Sequence, residues 1–249
     1  MRIVKAFGSW MSSIVVAAVA TFTLIGTGSA SADPLTYTYT LSTPNAQLSG
    51  LVGPYAQVTV DLIDSTHATI TFMSLINGGY TYLLGDGSSV GVNVNATNFL
   101  LGTISGTQLP GFTQALYSNG GAKNVSTLGT FNQTINSFDG FVHTSNQITF
   151  GLTDLSGTWT SAQNVLIAND TGLVAEAHIF PCATSNTAPC TRSTGTPNGL
   201  TGFAGAPAVV PIPAAAWLFG SGLIGLIAVS RRRSRGTEPP APARERGLH

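Results

Sequence analysis

Between Leu35 and Phe180, apolar and polar residues alternate with a period of two. Leu35-Thr36-Tyr37-Thr38-Tyr39-Thr40-Leu41 sets aromatic residues against hydroxyls, and Ala56-Gln57-Val58-Thr59-Val60-Asp61-Leu62 puts Val58, Val60 and Leu62 on one face. Ala68-Thr69-Ile70-Thr71-Phe72-Met73 repeats the device. Successive side chains of an extended chain point to opposite faces, so this pattern predicts strands buried on one side only. Further strands are predicted over 90–94, 97–104, 127–133, 147–152 and 173–180. Turns are expected at Asn77-Gly78-Gly79, Asp86-Gly87, Asn119-Gly120-Gly121 and Asp139-Gly140, where asparagine, aspartate and glycine tolerate positive φ. The fold expected is all-β, an antiparallel β-sandwich of jelly-roll-like type. One helical candidate interrupts the strands at Ser161–Ile167, with Ser161 placed to cap it. That run is shorter than two turns and its apolar face is broken by polar residues. No internal repeat of solenoid or propeller length occurs.

The alternation gives way at both ends to continuous apolar runs. At the N-terminus Arg2 and Lys5 precede the apolar stretch Ile14–Ile25, and Ala30-Ser31-Ala32 supplies small residues at the positions a signal peptidase reads. Cleavage there leaves Asp33 as the mature N-terminus, making 1–32 a signal peptide. At the C-terminus Val210-Pro211-Ile212-Pro213 leads into an uncharged run from Ala214 to Ser230, followed by Arg231, Arg232, Arg233 and Arg235. The run is 17 residues long, at the short end of what crosses a bilayer as one helix at about 1.5 Å per residue. Each arginine costs about 2.5–3.5 kcal/mol to carry into hydrocarbon on insertion scales, so the cluster holds the C-terminal side in the cytoplasm. The organisation expected is therefore a signal peptide (1–32), a β-sandwich ectodomain (33–209), a sorting tail (210–235, with its transmembrane helix over 214–230) and a polar, proline-rich cytoplasmic end (236–249) with too little apolar surface to fold.

This order of proline motif, apolar segment and arginine cluster resembles the PEP-CTERM family of bacterial sorting signals. It is most similar to members that read Val-Pro-Leu-Pro-Ala-Ala-Ala-Trp-Leu-Phe-Gly-Ser-Gly-Leu. Ile212 stands where leucine is commoner, and the glutamate of the name-giving Pro-Glu-Pro is missing. The chain also continues from Gly236 to His249, where such tails usually end within a few residues. The resemblance implies an exosortase-type processing enzyme as partner, a transient membrane-anchored form, and delivery of the ectodomain to the cell surface or an exopolysaccharide or biofilm matrix. Phe131-Asn132, Phe138-Asp139-Gly140-Phe141, Gln147–Phe150, Gly157–Ala162, Ala175–Phe180 and Thr201–Gly205 look like an ectodomain that recurs on PEP-CTERM proteins. That second likeness names no activity.

Charge changes once the ends are set aside. The whole chain carries ten basic and ten acidic residues, but residues 33–209 keep only Lys123 and Arg192 against eight acids, a net −6. Nucleic acid needs a positive stripe and is excluded as a partner. Adsorption to anionic lipid is disfavoured on the same ground. Cys182 and Cys190 are the only cysteines. In an oxidising compartment they most simply form one disulfide, closing the loop 183–189 with about 2–3 kcal/mol of chain-entropy stabilisation. Zinc is the alternative, but no second cysteine pair exists and His178 is the only histidine nearby.

Candidate chemistry in the ectodomain is sparse. Gly87-Ser88-Ser89-Val90-Gly91 matches G-x-S-x-G. A nucleophile elbow needs a strand before and a helix after, and here a turn leads into a strand. His67, His143 and His178 are scattered singly and read as strand-face residues. Asp61, Asp64, Asp139, Asp154 and Asp170 could gather around calcium if the loops converge, although no D-x-D-x-D-G run names a ligand set. No other cofactor is implied. Tyr37, Tyr39, Tyr55, Tyr80 and Tyr82 offer either a platform for sugar rings or, as is commoner at strand spacing, core and cross-strand pairs. Two function classes follow. The favoured one is a non-catalytic surface or matrix protein that binds or scaffolds exopolysaccharide. The other is a secreted hydrolase of matrix polysaccharide, which would need paired carboxyls although Glu176 is the only glutamate in residues 33–209.

Overall fold

The computed structural model describes residues 35–138, 143–184, 190 and 200–209. Among these described residues thirteen strands form, all antiparallel: β1 (Thr36–Leu41), β2 (Thr43–Pro44), β3 (Ala56–Leu62), β4 (His67–Ser74), β5 (Ile76–Asn77), β6 (Tyr80–Leu84), β7 (Asp86–Val92), β8 (Phe99–Thr107), β9 (Leu116–Asn124), β10 (Thr130–Phe138), β11 (Gln147–Asp154), β12 (Leu173–Ala183) and β13 (Gly202–Pro207). They build a five-stranded sheet in the order β1-β3-β4-β11-β8 and a second sheet in the order β2-β13-β12-β7-β10-β9. β6 also pairs with β12, and β5 pairs with β6.

The alternation read along the chain is the burial observed. In β3 every second residue from Ala56 to Leu62 is buried, and β11 follows the same rule. Strand register aligns Val58 with Phe72 and Phe72 with Ile148, while Val60 pairs with Ile70 and Ile70 with Phe150. On the second sheet Ala204, Ala177, Val90 and Ile135 stand side by side. Residues from both sheets belong to one hydrophobic core, with small alanines on one side and Phe72 and Phe150 on the other. Interdigitation of large and small groups is how two pleated faces reach interior packing density. Two satellite clusters extend the core, one around Leu83, Phe180, Cys182 and Cys190, the other around Val125, Leu128, Phe131 and Leu173.

Four expectations are corrected. The helical candidate is a single 3-10 turn at Ala162–Val165, and Ser161 makes no side-chain cap. Asp86-Gly87 is a kink and not a hairpin turn. β6 and β7 lie end to end against the one long strand β12, β6 along Ile179–Ala183 and β7 along Ala175–Ala177. Positive φ at Asp86 (67°) and Ser88 (51°) accommodates the offset. Asn119-Gly120-Gly121 also sits inside a strand, as a bulge in β9 opposite Thr134 and Ile135, with Gly121 at φ 63°. The reason is shared: antiparallel hydrogen bonding to a long neighbour overrides local turn propensity, and glycine or aspartate then supplies the bulge. Finally, β6, β9 and β13 carry no clear alternation and were not expected as strands. Asn77-Gly78-Gly79 does form the turn between β5 and β6, with both glycines at positive φ. Among the described residues no helix is long and apolar enough to cross a membrane.

Candidate functional site

A polar groove lies where strands of both sheets end. β7 finishes at Val92 and the chain continues through Val94, bridged to Leu166, towards β8. β11 ends at Asp154 and turns back through Ser156, Gly157 and Thr158. Between these segments is an open groove of about 430 Å³, with Asn95, Thr97, Asp154 and Ser156 among its walls.

Asp154 organises the groove and is itself nearly buried, at 6% exposure. Its Oδ1 accepts hydrogen bonds from the Ser156 amide (2.8 Å), the Ser156 hydroxyl (2.9 Å) and the Gly157 amide (3.0 Å). An aspartate accepting from the backbone two residues on is the side-chain mimic of a turn. Ser156 Oγ in turn accepts from the amides of Thr97 (3.1 Å) and Asn98 (3.2 Å), tying the end of β11 to the start of β8. The opposite wall is held by Trp159, whose Nε1 donates to the Asn95 carbonyl at 2.9 Å. Asn95 Nδ2 donates to the Asn164 carbonyl at 2.9 Å. One carboxylate with one oxygen already taken, set among amides and hydroxyls, can position a neutral polar group. It supplies no partner carboxyl and no histidine for paired acid and base work.

The remaining carboxylates stay apart. Asp61 accepts from Thr36 Oγ1 at 2.7 Å. Asp64 caps its own turn, accepting from the amides of Thr66 and His67 and pairing with His67 Nδ1 at 2.9 Å. The Thr66 amide first, and then the His67 side chain, hold the Asp64 carboxyl well below the usual range. Asp170 Oδ1 accepts from the Thr130 amide at 3.3 Å. Asp139 lies outside the described residues. Among those described, no three His, Cys, Asp or Glu side chains converge as metal ligands, so the calcium expectation receives no ligand set.

The tyrosines divide. Tyr39, Tyr55 and Tyr82 are buried, and Tyr37 and Tyr80 are half-buried against the same core, so the five form no exposed platform. Tyr37 meets Tyr39 edge-on at 4.7 Å and Tyr55 meets Tyr82 at 5.0 Å. Burial pushes the Tyr82 phenol up to about 12. Gly87–Gly91 is strand and not elbow. The Ser88 amide donates to Asn136 Oδ1 at 2.8 Å, and Ser89 Oγ shares a hydrogen bond with Ser137 Oγ at 2.6 Å. His178 stacks on Phe203 with ring centres 4.1 Å apart, and its Nδ1 lies 3.2 Å from the Gly87 carbonyl.

The burial of Glu176 is the feature that sequence reading missed. The residue sits in β12 between Gly91 of β7 and Gly205 of β13, is fully buried, and has no hydrogen-bond partner at either carboxyl oxygen. Gly91 makes the space, since a Cβ there would come within 2.6 Å of Glu176 Oε1. Desolvation raises the carboxyl well above its ordinary value, opposed only by the Lys123 charge. A lone glutamate flanked by Val174, Ala175 and Ala177 was the available signal.

Cys182 and Cys190 are joined as a disulfide with Cα atoms 5.7 Å apart. The expected cleavage residues Ala30, Ala32 and Asp33, the expected sorting residues Val210, Pro211, Ile212 and Pro213, the apolar run 214–230 and the arginines Arg231, Arg232, Arg233 and Arg235 lie outside the described residues. Comparison with family models, with curated proteins and with solved structures finds no match to this chain.

Proposed function

We propose that this chain is an exported, non-catalytic surface protein whose ectodomain is passed by an exosortase-type enzyme to an exopolysaccharide or biofilm layer. The observation that carries the reading is the order of the C-terminal tail: proline motif, uncharged run and arginine cluster. Pro211 and Pro213 lack backbone donors and push the residues before them towards extended conformations, which keeps a helix from growing outward from Ala214. Support comes from how close in sequence the motif lies to the last described strand. β13 closes at Pro207, and the Ala208 amide donates to the Gly172 carbonyl at 3.0 Å. The motif begins at Val210, two residues after this bond in the sequence.

The ectodomain fold is read more finely as a jelly-roll-like sandwich. β11 enters between β4 and β8, and β12 lies beside β7, so late strands are interleaved with early ones in both sheets. The hydrolase reading loses ground at the groove, whose lining holds Asp154 as its one carboxylate. Inverting and retaining glycosidases need a pair about 5–9.5 Å apart.

The test is processing in cells. Intact-mass analysis of extracellular protein is expected to show a species that starts at Asp33 and lacks Trp217. A Pro211→Ala/Pro213→Ala variant keeps the span and the arginines and is expected to accumulate uncleaved in the membrane fraction. Release of that variant at the normal rate, or recovery of Leu248 in the secreted species, would rule the exosortase-type reading out.

A further inference from the structure

The outward face of the five-stranded sheet is an ordered array of hydroxyls. Register aligns Thr38 with Thr59, Thr59 with Thr71, Thr71 with Thr149, and Thr149 with Ser105. One row of hydroxyl side chains therefore crosses all five strands without interruption. A second row, two residues along each strand, runs Thr40, Gln57, Met73, Gln147 and Thr107. None of these side chains is buried, whereas the residues between them, such as Val58, Phe72 and Ile148, are.

The array is held in place by its own bonds. Thr38 Oγ1 and Thr59 Oγ1 are 3.1 Å apart, Thr71 Oγ1 and Thr149 Oγ1 3.3 Å, and Gln147 Nε2 donates to Thr149 Oγ1 at 3.3 Å. A hydroxyl has one donor and two acceptor sites, so each Thr–Thr pair keeps one O–H and several lone pairs directed at solvent. β-Branching restricts χ1, and these hydrogen bonds restrict it further, so little side-chain entropy remains to be lost on binding. The rows repeat at about 4.8 Å across strands and about 6.7 Å along them.

We infer that this face is the surface that contacts polysaccharide, and that it takes an extended chain of neutral sugars lying across the strands. The inference rests on the matrix reading above and assigns the contact to a place. The occupant follows from the chemistry of the face. Its two rows carry no charge, and the nearest, Asp61 in the row beyond Thr59, is negative. An ectodomain of net −6 also repels polyanionic polymers. Hydroxyls and amides at strand spacing match a ribbon of sugar hydroxyls. A planar lattice such as ice fits less well, because adjacent strands rotate by about 20–25° and five of them depart far from a plane.

The experiment is affinity electrophoresis of the full chain, in mild detergent, through native gels cast with neutral mixed-linkage β-glucan or with acidic alginate. Retardation by the glucan and not by alginate is expected. A Thr59→Val/Thr71→Val variant removes central hydroxyls while keeping shape and strand propensity. Its apparent Kd for the glucan is expected to rise about tenfold, the loss of two neutral hydrogen bonds. Thr130→Val, on the other sheet, is the control and should bind as the parent does, with all three proteins melting alike. Equal retardation of the double variant and the parent places the contact elsewhere and overturns the assignment, leaving the matrix reading intact. Equal retardation by alginate overturns the preference for neutral chains. No retardation by glucan, or ice-crystal shaping in its place, overturns the inference. The matrix reading then stands or falls on the processing experiment alone.

Discussion

Replacing Glu176 by glutamine isolates the energetics of the one glutamate in residues 33–209. The folded protein buries Glu176 between Gly91 of β7 and Gly205 of β13, and neither carboxyl oxygen has a hydrogen-bond partner. Burial therefore keeps the proton on, and the folded-state pKa lies well above the usual glutamate value. The unfolded chain releases the same proton near pH 4.3. Above that pH the folded state binds one more proton than the unfolded state, so unfolding free energy falls by about 1.4 kcal/mol per pH unit. This contribution is fully present below the unfolded pKa and is lost as pH rises through the folded one. For a domain of this size the slope corresponds to about 3–6 °C in Tm per pH unit. Glutamine has nearly the same shape and cannot ionise. Glu176→Gln is expected to match the parent near pH 4 and to exceed it progressively from pH 5 upward. Differential scanning calorimetry of both proteins from pH 4 to 7.5 measures the effect, and every other titrating group is common to the pair. Parallel Tm curves would refute the reasoning, showing that the Glu176 carboxyl is solvated or paired in solution.

The other expectations concern smaller parts of the fold. Trp159→Phe removes the Nε1 bond to Asn95 and part of a side chain that is 2% exposed, and should cost about 2 kcal/mol in urea unfolding. Phe150→Ala empties a site shared by both sheets and should cost about 3–5 kcal/mol in the same assay. Reduction of Cys182–Cys190, eight positions apart, should lower Tm by about 5–10 °C without releasing the fold, because the loop is short and most strands precede it. Asp64→Asn removes a carboxylate whose pKa is depressed by its turn. Since that group stabilises above the unfolded aspartate pKa and ceases to do so as pH falls, the variant should show a weaker acid dependence below about pH 4 in thermal melts.

How far the sequence could be read depended on which interaction decides each element. β3 and β4 were legible nearly to the residue because strict alternation leaves one arrangement that buries Val58, Val60, Ile70 and Phe72 together. β9 was illegible because Asn119-Gly120-Gly121 carries turn chemistry, and only pairing with β10 makes it strand. β12 runs on through Pro181, a residue that lacks a ladder donor, to reach Ala183 beside Tyr80. The groove joins Asn95, Asp154 and Trp159 across about sixty residues of chain, and no linear pattern marks such a meeting.

The threonine face lies between these cases. The T-x-T spacing in Thr36–Thr40 and Thr69–Thr71 was visible, and period two already required those threonines to share a face. Whether they would align from strand to strand depends on register, which a single strand does not contain. Register here is set by the opposite face. A slip of one residue in any strand would carry Tyr39, Val58 or Phe72 into solvent and bring threonine into the core. The buried aromatic and branched residues thus hold the exposed hydroxyls in line. Substitutions such as Val58→Thr should therefore blur the outer rows as well as weaken the core, because the apolar contrast that sets register is lost on that strand.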